Sequence, residues 1–132
     1  MDKVPSFTIN GDLINGIGDF YEQINLLFMQ GEDWKIGQSL DALNDLFHGG
    51  FGAHRSMDKF DLIWTNVAKS KNVLGLETTI EFYQDKLSKP ELFNSEFAKS
   101  KLLALEQGMG QTYFEIVIEI IESHPSINFI PA

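Results

Sequence analysis

Two aspartates one helical turn apart, Asp41 and Asp45, stand out among the residues whose types and spacing could do chemistry. They lie in the run SLDALNDLF, where Leu40, Leu43 and Phe47 recur at helical spacing and turn inward, placing both carboxylates on the outward face. Like charges at i and i+4 cost a helix about 0.2–0.5 kcal/mol. Asp41, in the first turn, recovers part of this from the helix dipole, whereas Asp45 near the C-terminal end is disfavoured by it. Such a pair has three readings. It is a solvated acidic face, or part of a divalent-metal shell that two carboxylates alone leave incomplete, or a docking surface that offers carboxylates to the Arg and Lys of a cationic site.

The other reactive residue types form no catalytic set. The three histidines, His48, His54 and His124, make no HExxH motif and no pair at helical ligand spacing, and the chain has no GxSxG, P-loop or GxGxxG. Gly49-Gly50-Phe51-Gly52 follows a helix instead of a strand, so it reads as a helix stop and tight turn, with a contact role as the alternative. His48 reads as a helix-end histidine favoured by the dipole. A metal-dependent enzyme would have to be built on Asp41, Asp45 and His48. The expectation is a protein that is not an enzyme, with no cofactor and no metal.

Composition narrows the partner. A chain of 132 residues, 43% hydrophobic and rich in Phe, is long enough for one core without staples, and no repeat or low-complexity stretch divides residues 1–132. The net charge is −9, of which −6 falls in residues 1–54. That excess of acid argues against nucleic acid or an anionic membrane as partner and favours a basic protein. The absence of cysteine rules out disulfides, thiol nucleophiles and thiolate zinc sites. The opening MDKVPSFTING carries no apolar signal core and no run reaches the ~18 apolar residues of a membrane span, so the expected compartment is the cytoplasm and the expected free state a monomer.

The elements that must position Asp41 and Asp45 follow from patterning. Alternation predicts a strand over 6–10. Asp19 is expected to cap a helix running to about residue 29, and a loop over 30–38 holds Gly31, Trp34 and Gly37. Ser39 opens the acidic helix, which ends at Gly49-Gly50. Further elements are a strand over 60–64, helices over 66–74, 78–87, 90–106 and 111–123, and a strand over 127–130. This order predicts an α/β fold: a small, parallel sheet layered by helices.

The run IGQSLDALNDLFHGGFG resembles the barstar family of ribonuclease inhibitors, whose second helix carries a similar G-x-x-L-D-A-L-x-D-x-L pattern. The opening FTINGD-x-I, Trp64 with the following Ala68-Lys69-Ser70-Lys71, and the ending Ile118-Glu119-Ile120-Ile121 through Ile127-Asn128-Phe129-Ile130 are similar to the family's first strand, second strand with third helix, and last helix with third strand. GGFG with W-x-N-x-x-x-S-x-x-x-L-G is similar to a bacterial branch of the family. Residues 76–110 are longer than in barstar itself and read as a helical insert before the last helix.

The resemblance implies a three-stranded parallel sheet and a protein that plugs a ribonuclease active site with its second helix and the loop before it. It implies that Asp45 occupies a phosphate-binding pocket, that Asp41 supports it, and that Glu119 adds a peripheral ion pair. Ser39, Asn44, Lys35, Ile36, Gly37 and His48 complete the implied contact set, several of them as departures from the family. Lys35 and Ile36 stand where barstar has adjacent tyrosines, Asn44 where it has an interface tryptophan, Ser39 for an asparagine and His48 for a threonine. Lost aromatic anchors point to a different target enzyme, with Trp34 and Phe51 as candidate replacements and loop packing as their plainer role. A second expectation keeps the fold but gives it another basic partner, for instance a nuclease acting on DNA.

Overall fold

The computed structural model describes residues 4–132. Its sheet has three parallel strands, β1 Ser6–Asn10, β2 Phe60–Thr65 and β3 Ile127–Pro131, in the order β1-β2-β3. Phe7 pairs with Leu62 and Leu62 with Phe129, while Ile9 pairs with Trp64. Both crossovers advance the same way across the sheet, and crossovers of one hand that do so lie on one face. The strands are accordingly two-faced. Ile9, Phe60, Leu62, Trp64 and Ile127 are buried toward the helices, whereas Ser6, Thr8, Asn10 and Asn128 are exposed on the other side. Parallel sheets covered on both faces lack this alternation, and here it is what makes such short strands readable as sequence.

Six α-helices are present among the described residues: α1 Ile17–Phe28, α2 Leu40–Phe47, α3 Val67–Val73, α4 Leu76–Leu87, α5 Ser95–Glu106 and α6 Tyr113–Glu122. Fold class and the helical insert agree with expectation, and several boundaries move. Asp19 is not the cap of α1. The helix begins at Ile17, with Gly16 in the cap position, and the Asp19 carboxylate accepts from the Asn15 N–H at 2.9 Å from inside the first turn. α5 starts at Ser95 and not at Pro90, because the Asn94 side chain accepts from both Glu96 and Phe97 N–H groups and sets the start there. The start of α6 is fixed by a capping box of Thr112 and Glu115, a T-x-x-E signal that the apolar density had hidden.

Trp64, fully buried in the central strand, stacks on Phe20 at 5.3 Å and donates its indole N–H to Ser70 Oγ at 2.9 Å. The hydroxyls of Tyr21 and Tyr113 meet at 2.7 Å and tie α1 to α6; burial pushes Tyr113 up to about 12, so both stay protonated in ordinary buffers. The insert α4–α5 has a small core of its own, Tyr83, Ala98 and Leu105. It is fastened to the sheet unit where the Tyr113 N–H donates to Thr79 Oγ1 at 2.7 Å and the Tyr113 ring meets Phe82. Among the described residues no helix is long and apolar enough to cross a membrane.

One close approach depends on glycine. Gly11 follows β1 and opens the 3-10 turn Gly11–Leu13; a Cβ there would lie 2.0 Å from the Thr65 carbonyl oxygen and 2.9 Å from that of Asn66. Gly11→Ala must push strand ends apart and is expected to lower stability by about 3 kcal/mol. Gly31→Ala, with nothing within 4 Å of its Cβ, is expected to stay within about 0.5 kcal/mol. Urea unfolding midpoints check this; equal midpoints would contradict the packing argument.

Candidate partner-binding site

Helix α2 is held from one side and free on the other. Leu43, Leu46 and Phe47 are buried, and Ser39 caps the helix by accepting from the Ala42 N–H at 3.2 Å. Asp41 and Asp45 are both exposed, as the periodicity predicts. Neither has an ion-pair partner among the described residues, where the single ion pair joins Lys89 to Asp85. The two carboxylates are thus presented to solvent with their charge uncompensated.

Asn44 and Ile36 behave differently from the contact role expected of them. Asn44 is half-buried, and its side-chain oxygen accepts from His124 Nε2–H at 2.8 Å, which ties α2 to the end of α6. Ile36 is only 6% exposed and belongs to the core. The Asn25 side chain clamps its backbone, donating to the Ile36 carbonyl and accepting from its N–H. A buried Ile36 side chain is not available to a partner; its burial anchors the loop that leaves Lys35 and Gly37 exposed on either side.

The flanking loops are fastened to each other. Trp34, 45% exposed, packs on half-buried Phe51 with ring centroids 4.9 Å apart. Beside them the Gly52 N–H donates to Glu32 Oε1, and Ala53 N–H donates to the Phe28 carbonyl at 2.8 Å. Gly49 and Gly52 have φ of 87° and 91°, the left-handed conformation that a helix stop followed by a tight turn requires. His54 then reaches back and donates from Nε2 to the Leu46 carbonyl at 2.7 Å, pinning the loop to the end of α2.

The structure divides the expected contact residues between two grooves. Ser39, Asp41, Asn44 and Glu119 line one of about 760 Å³, whose other wall is the insert. Trp34 and Lys35 line a second, of about 630 Å³, together with Glu22, Glu32 and Asp33. Asp45 lines neither and is exposed on the outer face of α2. His48 is exposed at the end of α2, edge-on to His124 at 4.8 Å. Glu119 is exposed and accepts from the Gln111 side-chain amide. No group of three or more His, Asp and Glu that could hold a metal forms among the described residues. Sequence reasoning passed over the insert side chains on the large groove. In α5, Ala98 and Leu105 mark the inner stripe with half-buried Lys101 on its flank, and only Phe97 turns clearly away from it.

Two histidines in this region link the site to acid stability. Burial holds His54 below the ordinary histidine range, partly countered by its bond to the Leu46 carbonyl; burial, with His48 nearby, lowers His124. Both stay neutral in the folded chain at pH values where unfolded histidine, near 6.5, is already protonating. The unfolded state then binds more protons, so their contribution is complete above about pH 6.5 and declines as the pH falls below it. Urea midpoints are expected to drop between about pH 7.5 and 5.5, and His54→Gln/His124→Gln to show a smaller drop from its own lower start. An undiminished drop in the variant would assign the acid sensitivity elsewhere.

No model of a known protein family and no curated protein matches the chain, so the reading of this site rests on its own residues and geometry.

Proposed function

We propose that this protein is a non-enzymatic inhibitor or immunity protein, a member of the barstar family, that binds a basic bacterial ribonuclease in the cytoplasm as a monomer and occludes its active site. The observation that carries the proposal is the pair of uncompensated carboxylates, Asp41 and Asp45, on the outer face of a helix whose inner face is buried. A ribonuclease active site is cationic because it must hold phosphate, and carboxylates can take the place of phosphates opposite its Arg and Lys. Asp45 supplies the central charge, Asp41 supports it, and Glu119 contributes from the flank. Trp34 and Phe51, packed on each other from the loops before and after the helix, supply the apolar anchor that the charged pair lacks.

A second reading has its own support. The residue in place of the family's interface tryptophan, Asn44, is turned inward to His124, and Ile36 is buried where the family presents tyrosine. The surface around the aspartates therefore differs most where partner identity would be read. This favours a distinct basic protein, such as a nuclease acting on DNA, on the same scaffold.

Capture separates the two. The immobilised chain is exposed to native lysate and secreted fraction beside Asp41→Lys/Asp45→Lys, and eluates are assayed for ribonuclease after denaturing release. The expected result is ribonuclease activity with the wild type and none with the double variant, with Asp45→Ala weakening capture more than tenfold and more than any other single truncation. A different basic protein in the wild-type eluate, without ribonuclease activity, would overturn the first reading in favour of the second. Capture by a folded double variant would move the site elsewhere. Trp34→Ala is expected to weaken binding of the captured protein by about tenfold while leaving the thermal midpoint nearly unchanged, since the side chain is half exposed. A lowered midpoint with unchanged binding would return Trp34 to loop packing.

A further inference from the structure

The large groove has two unlike walls. One, from α2 and α6, carries Asp41 and Glu119, which have no ion-pair partner among the described residues. The other, from the insert, carries Phe93 and Phe97, which are 39% and 53% exposed. Lys86 and Lys101 also line the groove, with Lys86 Nζ 4.0 Å from the Phe93 ring centroid and Lys101 Nζ 5.3 Å from that of Phe97, each over a ring face. The insert buries Tyr83, Ala98 and Leu105 in its own core, so these two phenylalanines are not needed to fold it. Large apolar side chains left in the open beside a cleft of about 760 Å³ mark a recognition surface.

We propose that the insert is the second jaw of the binding site, and that the groove between it and α2–α6 takes a protruding segment of the basic partner, with Lys or Arg side chains against Asp41 and Glu119 and an aliphatic or aromatic side chain against Phe93 and Phe97. The occupant's positive charge follows from Asp41 and Glu119, which no cation of the described residues pairs, and from the chain's net charge of −9; Lys86 and Lys101 on the facing wall lie over ring faces and not against those carboxylates. A second copy of this chain is the wrong occupant, because it also carries −9. Leu40, Asp41 and Asn44 belong to this groove and to α2 alike, so a partner that covers Asp41 and Asp45 reaches the groove without leaving the helix. In this the inference rests on the inhibitor reading for the partner's identity, but not for the groove's chemistry.

The test uses the full chain and defined probes: peptides of about ten residues alternating Lys with Leu, Lys with Ser, and Glu with Leu. In amide NMR titrations the Lys–Leu peptide is expected to shift signals on both walls, those of Asp41 and Glu119 as well as Phe93 and Phe97. The Lys–Ser peptide should bind at least fivefold more weakly, and the Glu–Leu peptide not at all. Phe93→Ala/Phe97→Ala should weaken the Lys–Leu peptide at least tenfold, as should Asp41→Lys/Glu119→Lys. Phe97→Ser alone, at the more exposed position, guards against a folding defect in the double variant and should cost at least threefold. Shifts confined to α2, no binding, or affinities within twofold of wild type in all three variants would overturn the proposal. Against the captured partner the same phenylalanine variants keep the two readings apart. A ribonuclease still held through Asp41 and Asp45 but indifferent to Phe93 and Phe97 would overturn the second jaw alone. Peptide binding in the groove without any ribonuclease captured would overturn the inhibitor reading alone.

Discussion

Phe28 stands where the parts of the molecule meet. Its ring lies 4.6 Å from that of Phe7 on β1, 5.9 Å from Phe47 on α2 and 5.9 Å from Phe60 on β2, with the His54 imidazole at 4.9 Å. Its carbonyl accepts from Ala53, at the far side of the glycine turn. One side chain thus joins two strands, the acidic helix and the loop that follows it. Removing a buried phenylalanine of this kind costs about 3–5 kcal/mol, a large share of what a small domain has in reserve. The placement of α2, and with it the direction in which its aspartates point, follows from this cluster more than from any property of the helix itself. An eight-residue helix is too short to persist alone.

That dependence explains how α2 can carry charges that oppose it. Asp41 and Asp45 repel each other, at about 0.2–0.5 kcal/mol, and Asp45 sits at the unfavourable end of the dipole, at about 0.3–1 kcal/mol. Burial of Leu43, Leu46 and Phe47 contributes about 1.5–3 kcal/mol per side chain in the opposite direction. The acidic face is therefore tolerated easily, although a lysine at one of the two positions would relieve the repulsion. In a chain of net charge −9 with a single ion pair among its described residues, acid placed on an ordered surface and left unpaired is the feature that a basic partner would relieve.

The fold was legible in the sequence to the extent that burial imposes a period. Phe7 and Ile9, or Phe60, Leu62 and Trp64, alternate because the sheet is covered on one face, and the outward position of Asp41 and Asp45 follows from Leu43, Leu46 and Phe47. What periodicity does not encode is the long-range polar bond. Nothing near Ile36 announces that Asn25 clamps it, and nothing near Asn44 announces His124, 80 residues away. Both enter the expected contact set only through the resemblance, which sets them at positions of interface aromatics, and a resemblance does not say where a replaced side chain turns. Helix starts moved for a related reason: Asp19, Asn94 and Thr112 are all good capping residues, and which backbone N–H each serves is settled by packing.

The same long-range bonds govern how well prepared the surface is for a partner. The loop before α2 is held through Asn25 and Ile36, the loop after it through Glu32, Gly52 and His54, and the helix end through Asn44 and His124. Association must supply the entropy of ordering whatever is loose, about 0.5–1.5 kcal/mol per immobilised side chain, so a backbone already fixed leaves only the exposed side chains to order. The insert follows this logic in part: its own core and the bond from Tyr113 to Thr79 fasten α5, which carries Phe97, whereas Phe93 lies in the connection between α4 and α5. A loop extension of the same length without α4 and α5 could offer the same residues but would have to be ordered on contact. Two helices packed on a core of their own make the added wall a more ordered one than a bare loop.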